Sequence, residues 1–281
     1  HIGHSLEYFQ ADTIRRYYRL KGYETLLLSG ADENALKNVQ AAEKEGLPIQ
    51  DFLDRNSKIW HDTYEFLGVH LDVFQRGSDQ KKHWPGVRKL WKLCFENGDI
   101  YKKAYEGFYC VGCEAFKTAD ELVDGLCPIH QKKPDLVKEE NYFFKLSRYQ
   151  NQLIDLIESG KLAVIPANKK AETLSFIKSG LEDFSISRSN ARAKGVGVPV
   201  PEDSTQKIYV WYDALDIYMT GIGFGWDEKK WKKWWPADLH IIGKDINRFH
   251  TVYWPAMLLS AGLSLPKQIL IHGFVNLKGA K

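Results

Sequence analysis

Four side chains of this 281-residue chain have the spacing of a metal centre. Cys110 and Cys113 form one pair and Cys127 and His130 a second, each pair separated by two residues and the pairs by 13. Each pair can close a tight knuckle that aims two ligands at one ion. Three thiolates and one imidazole would fill a tetrahedral zinc shell, leaving no position for water, so the expected role is structural rather than catalytic. A chance grouping of buried thiols is the competing reading. At the other extreme of the chain, His1-Ile2-Gly3-His4 suits phosphate chemistry. Gly3 lets the backbone approach a ligand. The helix that follows offers its anion-favouring end, and two imidazoles can donate to phosphate oxygens as charge develops. A purification-tag remnant would look similar.

Three further segments carry candidate ligand-binding groups. Gly30-Ala31-Asp32-Glu33-Asn34 follows an expected strand. Asp32 there either holds a ligand ammonium or caps the next helix, and the cap is the simpler reading. Ile208 to Leu215, with Tyr218 one turn on, could wall an apolar pocket or be plain core. Ile242 to His250 places Gly243, Lys244 and Asp245 after a strand, as a ribose or phosphate site requires. His250 on a helix is more often a satisfied core histidine, and His272-Gly273 has the same ambiguity.

The expected elements place these groups on one edge. Helices are expected over 5–21, 34–45, 48–67, 79–96, 213–220 and 245–261, and strands over 24–29, 71–74, 208–211, 239–242 and 268–272. Alternation of this kind implies a doubly wound parallel sheet with crossover helices, which binds ligands at the carboxyl ends of its strands. Residues 1–100 and 207–281 read as its two halves. Residues 101–206, with short aromatic segments, the Cys/His pairs and the Gly/Pro-rich 195–201, read as an inserted domain. Composition is globular, 44% hydrophobic and 27% charged, and the net charge of +3 permits nucleotide or RNA without demanding it. No apolar run approaches a membrane span. The four cysteines fit a reducing compartment, and a cytoplasmic location is expected.

Taken together, these segments resemble the class I aminoacyl-tRNA synthetases, with His1-Ile2-Gly3-His4 matching the first signature. Gly30 to Glu33, Ile186-Ser187-Arg188, Val198 to Pro201, Tyr209 to Leu215, Gly243 to Ile246, Phe249-His250, Trp254-Pro255-Ala256 and His272 to Lys281 are similar, in order, to the methionyl branch. The zinc knuckle suits that branch too. The resemblance implies a Rossmann-like catalytic core that joins methionine to ATP, with Mg2+ accompanying the phosphates, and passes the methionyl group to methionine tRNA. It assigns the methionine ammonium to Asp32 and the side-chain pocket to Trp211, Ala214, Leu215, Tyr218, Ile246 and His250. ATP falls to His1, Gly3, His4, Gly243, Lys244, Asp245, His272, Gly273 and Val275. His1, His4 and Lys281 take the catalytic roles, Lys281 as the first residue of the mobile Lys-Met-Ser-Lys-Ser loop. The family's Glu-His-Gly continuation after Asp32 is replaced by Glu33-Asn34-Ala35, and Asp216 stands where a neutral residue is usual. The strand before His1, the rest of that loop and the anticodon-binding domain are expected outside this chain, which alone should adenylate little or not at all. A class I synthetase for another amino acid and a non-catalytic zinc and RNA-binding module remain the alternatives.

Overall fold

The computed structural model describes residues 2–113 and 115–275. The amino-terminal part alternates in the expected order, helix Ile2–Leu20, strand Leu28–Ala31, helices Leu36–Glu45 and Ile49–Phe66, strand Val73–Arg76 and helix Trp84–Glu96, but the first helix takes in Gly3 and His4 instead of following them. The two strands pair in parallel from Leu28 opposite Val73 to Ala31 opposite Arg76. Gly46, at φ 67°, ends the first short helix in the left-handed region that glycine enters without steric cost. The last helix begins at Trp84 and not at Asp79, because Pro85 belongs in a first turn, where its missing N–H is not needed.

The 101–206 stretch opens with a long antiparallel arm, Ile100–Cys110 against Asp135–Phe144, carrying the Cys/His segment at its far end. It does not stand apart from the parallel layer. Its strand Ala163–Ile165 pairs in parallel with Gln268–His272, which pairs in turn with His240–Gly243. The parallel ladders of the described residues thus form two pieces, and a third, antiparallel sheet joins Ser187–Ser189, Asp203–Ile208 and Pro199–Val200. One apolar core, around Leu90, Phe144, Tyr212, Phe224 and Trp254, all fully buried, joins the helix Trp84–Glu96, the arm, the antiparallel sheet and the second parallel piece, while Ala42, Phe52 and Leu53 form a separate cluster between the helices Leu36–Glu45 and Ile49–Phe66. Among the described residues no helix is long and apolar enough to cross a membrane.

Two elements differ from expectation in ways that matter for the site. The strand expected over 208–211 stops at Ile208, and the first helical turn closes at once through Tyr212 and Asp213 amides on the Tyr209 carbonyl. Trp211 therefore sits on the helix Val210–Thr220 and shares a face with Ala214, Leu215 and Tyr218, at spacings of three, four and seven. The helix expected over 245–261 is broken into a 3-10 turn Lys244–Ile246, a π-helical turn Phe249–Tyr253 and the α-helix Trp254–Ser260. Pro255 has no N–H to give in an α register. The ladder widens just before it, the Trp254 amide reaching back to Phe249.

Asp216 lies on the buried side of Val210–Thr220 with no exposure, and neither carboxylate oxygen has a hydrogen-bond partner among the described residues. Burial pushes its carboxyl well above the usual carboxylate range, nearby Asp213 pushes the same way, and Lys89 opposes. A raised folded pKa leaves stability intact below the unfolded value of about 3.9 and removes it progressively as pH rises toward the folded value. Asp216→Asn is therefore expected to raise Tm at pH 8, by the equivalent of about 1–3 kcal/mol, and to leave it unchanged near pH 4. Thermal melts at both pH values check this, and an equal shift at both would contradict it.

Candidate active site

The helix face of Trp211 and Tyr218 meets the π-helical turn. Trp211 stacks on Phe249 with ring centroids 3.9 Å apart and planes 8° from parallel. The His250 ring stands edge-on to Trp211 at 6.5 Å. Its Nδ1 lies 3.0 Å from the Ile246 carbonyl and its Nε2 2.6 Å from the Tyr218 hydroxyl. A carbonyl only accepts, so Nδ1 carries the proton and Nε2 accepts from the Tyr218 O–H; the tautomer follows from these partners. Burial holds His250 down at about 4, against weaker opposing pulls from the Ile246 carbonyl and Glu7. Behind Tyr218, at 4.3 Å, lies the ring of His240, held down to about 3 by burial and then by His250. Both imidazoles are neutral at physiological pH, and the surface where these rings meet is aromatic and without net charge.

A charged cluster gathers at the ends of the parallel strands His240–Gly243 and Gln268–His272. Glu7, one helical turn after His4, places Oε1 2.9 Å from His272 Nε2 and Oε2 3.7 Å from His4 Nδ1. His272 Nδ1 faces the Gly273 carbonyl at 2.7 Å. A Cβ at Gly243 would fall 2.9 Å from Asp245 Oδ1 and 3.2 Å from Glu7 Oε1, so glycine keeps this rim open. Lys244 is exposed, its Nζ 4.0 Å over the Phe274 ring. Gly273 is exposed and Val275 half-buried at the same strand end. His4 stands edge-on to Trp60 at 5.2 Å, in a helix whose first turn has no acidic residue to repel an anion. His1 and Lys281, with the segment from Asn276, lie outside the described residues.

Asp32 is not a helix cap. The helix starts at Leu36, its cap position is Ala35, and no side chain caps it. Asn38 instead donates to the carbonyls of Asp32 and Glu33, fixing the loop from its far side. Glu33 is buried and taken up by Ser57, Arg76 and Ser78. Asn34 does the joining: its Nδ2 lies 2.9 Å from both Asp213 Oδ2 and the Gly77 carbonyl. Asp213 is fully buried, with Oδ1 3.4 Å from His83 Nε2, while His83 Nδ1 meets Thr220 Oγ1 at 2.8 Å. Burial pushes the Asp213 carboxyl up; His83 and Asn34 pull it down. Ala35 packs on Tyr209 and Val210 beside Trp211. The Asp32 loop is thereby tied to the pocket helix. Sequence reading missed Glu7, His240 and the bridging role of Asn34; only the helical spacing from His4 to Glu7 carried a signal.

The Cys/His group converges at the tip of the antiparallel arm. All four ligand atoms lie within 4.8 Å of one another. Cys113 Sγ is 3.5 Å from Cys127 Sγ and 3.3 Å from His130 Nδ1, and Cys110 Sγ is 3.8 Å from that nitrogen. Tetrahedral Zn–S and Zn–N bonds imply ligand separations of about 3.5–3.8 Å, so the four donors fit such an ion. A Cβ at Gly112 would fall 2.6 Å from the His130 ring, so this knuckle accepts only glycine there.

The model of a family described as class I tRNA synthetases (M) matches residues 1–134 and 118–281. The methionine–tRNA ligases of Clostridium acetobutylicum and Thermotoga maritima are 42% and 41% identical over 283 and 285 residues. Both alignments take in 100% of this chain, and 43% and 45% of those proteins. The chain spans about half the length of the curated relatives it matches. The structure of Mycobacterium tuberculosis methionyl-tRNA synthetase bound by methionyl-adenylate aligns with TM-score 0.93 and 41% identity, over 98% of this chain and 55% of that one. The free-state form of the same enzyme aligns at 0.83 and 39%, with 98% and 53% coverage.

Removing the Asn34 amide leaves the buried Asp213 carboxylate short of a donor. Asn34→Ala is expected to lower stability by about 1–3 kcal/mol, read as a reduced midpoint in urea; an unchanged midpoint would contradict the junction. The protein as purified is expected to carry metal that Cys113→Ser loses, read by elemental analysis of both proteins. Metal-free wild type would contradict the site.

Proposed function

The chain belongs to the class I tRNA synthetases of the methionine type, and from that membership we propose that it carries the site where methionine and ATP condense to methionyl-adenylate. The observation that carries the reading is the neutral aromatic face where Trp211 and Tyr218 meet His250, held by the Tyr218–His250–Ile246 hydrogen-bond relay, beside a polar rim at the strand ends. A thioether carries no charge and gains from sulfur–aromatic contacts of about 0.3–1.5 kcal/mol. A pocket holding an imidazolium would instead favour an anionic side chain. In this reading Trp211, Ala214, Leu215, Tyr218, Ile246 and His250 contact the methionine side chain, and Asp32, fixed by the Asn34 junction, takes the ammonium.

The ribose and phosphates fall to the rim. Gly243 leaves space, Lys244 and Asp245 offer a cation and an acceptor, and Gly3, His4, His272, Gly273 and Val275 complete the site, with His1 and Lys281 from beyond the described residues. The methionine carboxylate attacks the α-phosphorus, and pyrophosphate departs. The chain's contribution is alignment of the two reactants and hydrogen-bond donors for the charge that develops on phosphate oxygen, with no covalent link to the protein. A ribose hydroxyl of the terminal adenosine of methionine tRNA then attacks the methionyl carbonyl carbon, the bond to phosphate breaks, and AMP and the hydroxyl proton are released. Mg2+ would enter with the phosphates and neutralise their charge; among the described residues no second cluster of three metal-binding side chains converges. Cys110, Cys113, Cys127 and His130 would hold a structural zinc ion that stiffens the tip of the arm. This chemistry belongs to the cytoplasm.

A non-hydrolysable methionyl-adenylate analogue is expected to raise Tm, by the equivalent of about 2.7 kcal/mol at a hundredfold excess over Kd. A leucyl analogue should do far less, and equal shifts, or none with either, would overturn the reading. Tyr218→Phe removes the donor to His250 Nε2 and is expected to weaken the methionyl analogue roughly tenfold, about 1.4 kcal/mol, measured by calorimetry. Because His250 protonates only near 4, wild-type affinity should stay flat from pH 5.5 to 8. A tenfold change centred near pH 6.5 would show that the imidazole titrates in the pocket.

A further inference from the structure

A groove of about 670 Å³ lies outside the site described above, along the outer face of the helix Trp84–Glu96. Its floor is apolar, from Pro85, Leu93, Val200 and Pro201. Arg88 and Lys92, one turn apart on that helix, line it. Lys207 adjoins from the neighbouring strand: Pro199 is its partner in the ladder, and burial followed by repulsion from Arg88 lowers its ammonium below the usual value. None of these three cations has a carboxylate within 4 Å among the described residues, whereas Lys89 beside them is paired with Glu228. Arg88 and Lys207 thus repel one another across the groove's edge. Glu96 and Glu202 also line the groove and would exclude a purely electrostatic, unoriented mode of binding.

The groove leads to the candidate active site. A Cβ built on Gly197 would lie 3.7 Å from Lys207 Cβ and 4.0 Å from Asn34 Cβ. Trp84, with Arg88 5.7 Å over its ring, donates its indole N–H to the same Gly77 carbonyl that accepts from Asn34. Lys207 and Arg88 therefore neighbour residues that touch Asn34 in the Asp32 loop. We propose that the Arg88–Lys92–Lys207 groove seats consecutive phosphates of the RNA strand whose 3′ end reaches the pocket, with ribose edges lying over the apolar floor. The identity of the partner rests on the function proposed above. A phosphodiester backbone suits the feature because it repeats single charges along a line, which three spaced cations match.

The test uses this chain and a short RNA stem with an unpaired 3′ end, titrated by fluorescence anisotropy at several salt concentrations. The variant combines Arg88→Ala, Lys92→Ala and Lys207→Ala. It is expected to bind the RNA at least tenfold more weakly, and its slope of log K against log salt should fall by about two to three. Its thermal stabilisation by the methionyl-adenylate analogue should equal that of wild type. Unchanged RNA affinity, or no RNA binding by wild type, overturns the groove. Competition by a polyglutamate peptide as strong as that by the RNA assigns the groove to an acidic protein and also overturns it. Should the triple variant melt early, the charge-preserving set Arg88→Lys, Lys92→Arg and Lys207→Arg decides: retained binding supports the groove, and lost binding refutes it. Failure of the analogue to stabilise wild type refutes the proposed function separately, whatever the RNA does.

Discussion

The site depends on one buried carboxylate. Asp213 has no exposure, and an ion so placed costs several kcal/mol unless donors surround it. Asn34 and His83 come from separate elements of the amino-terminal half and Asp213 from the carboxy-terminal half, so satisfying Asp213 draws distant stretches of chain to one point. The same amide of Asn34 also holds Gly77. The loop carrying Asp32 and the helix carrying Trp211 and Tyr218 cannot shift independently without stranding that charge. A second acid on the same helix, Asp216, has no such donors and weakens the element that Asp213 secures.

Around this junction the electrostatics divide in two. On one side neutral rings meet, with His250 and His240 both kept uncharged by burial. On the other, Glu7, His272, Asp245 and Lys244 crowd the ends of the parallel strands. A ligand with an apolar side chain and a head carrying an ammonium and a single phosphate, such as the methionyl-adenylate proposed above, would span such a boundary.

Local spacing made part of this legible. Cys110, Cys113, Cys127 and His130 converge because each pair is fixed by its own knuckle, and the helix–strand alternation up to Glu96 follows from side-chain periodicity and from Pro85 and Gly46. What sequence reading missed depends on distant partners. The strand Ala163–Ile165 joins the parallel layer only by pairing with Gln268–His272, more than a hundred residues on. The π-helical turn that aims His250 arises where Pro255 interrupts the ladder, and periodicity does not show where the break falls. Asn34 looked like a lost family feature; its amide proves to be a bridge, since Asp213 and Gly77 approach it only in the fold. On sequence alone His250 reads more often as a core histidine, and the structure buries it, satisfies both of its nitrogens and sets its ring edge-on to Trp211.

The most direct measurement is a crystal structure of this chain with a non-hydrolysable methionyl-adenylate analogue. The account requires the thioether against Trp211 and His250, the ammonium at Asp32 and the phosphate toward His4 and Gly243. A ligand seated elsewhere, or one whose ammonium lies away from Asp32 while the Asn34–Asp213 contact stays intact, would contradict it.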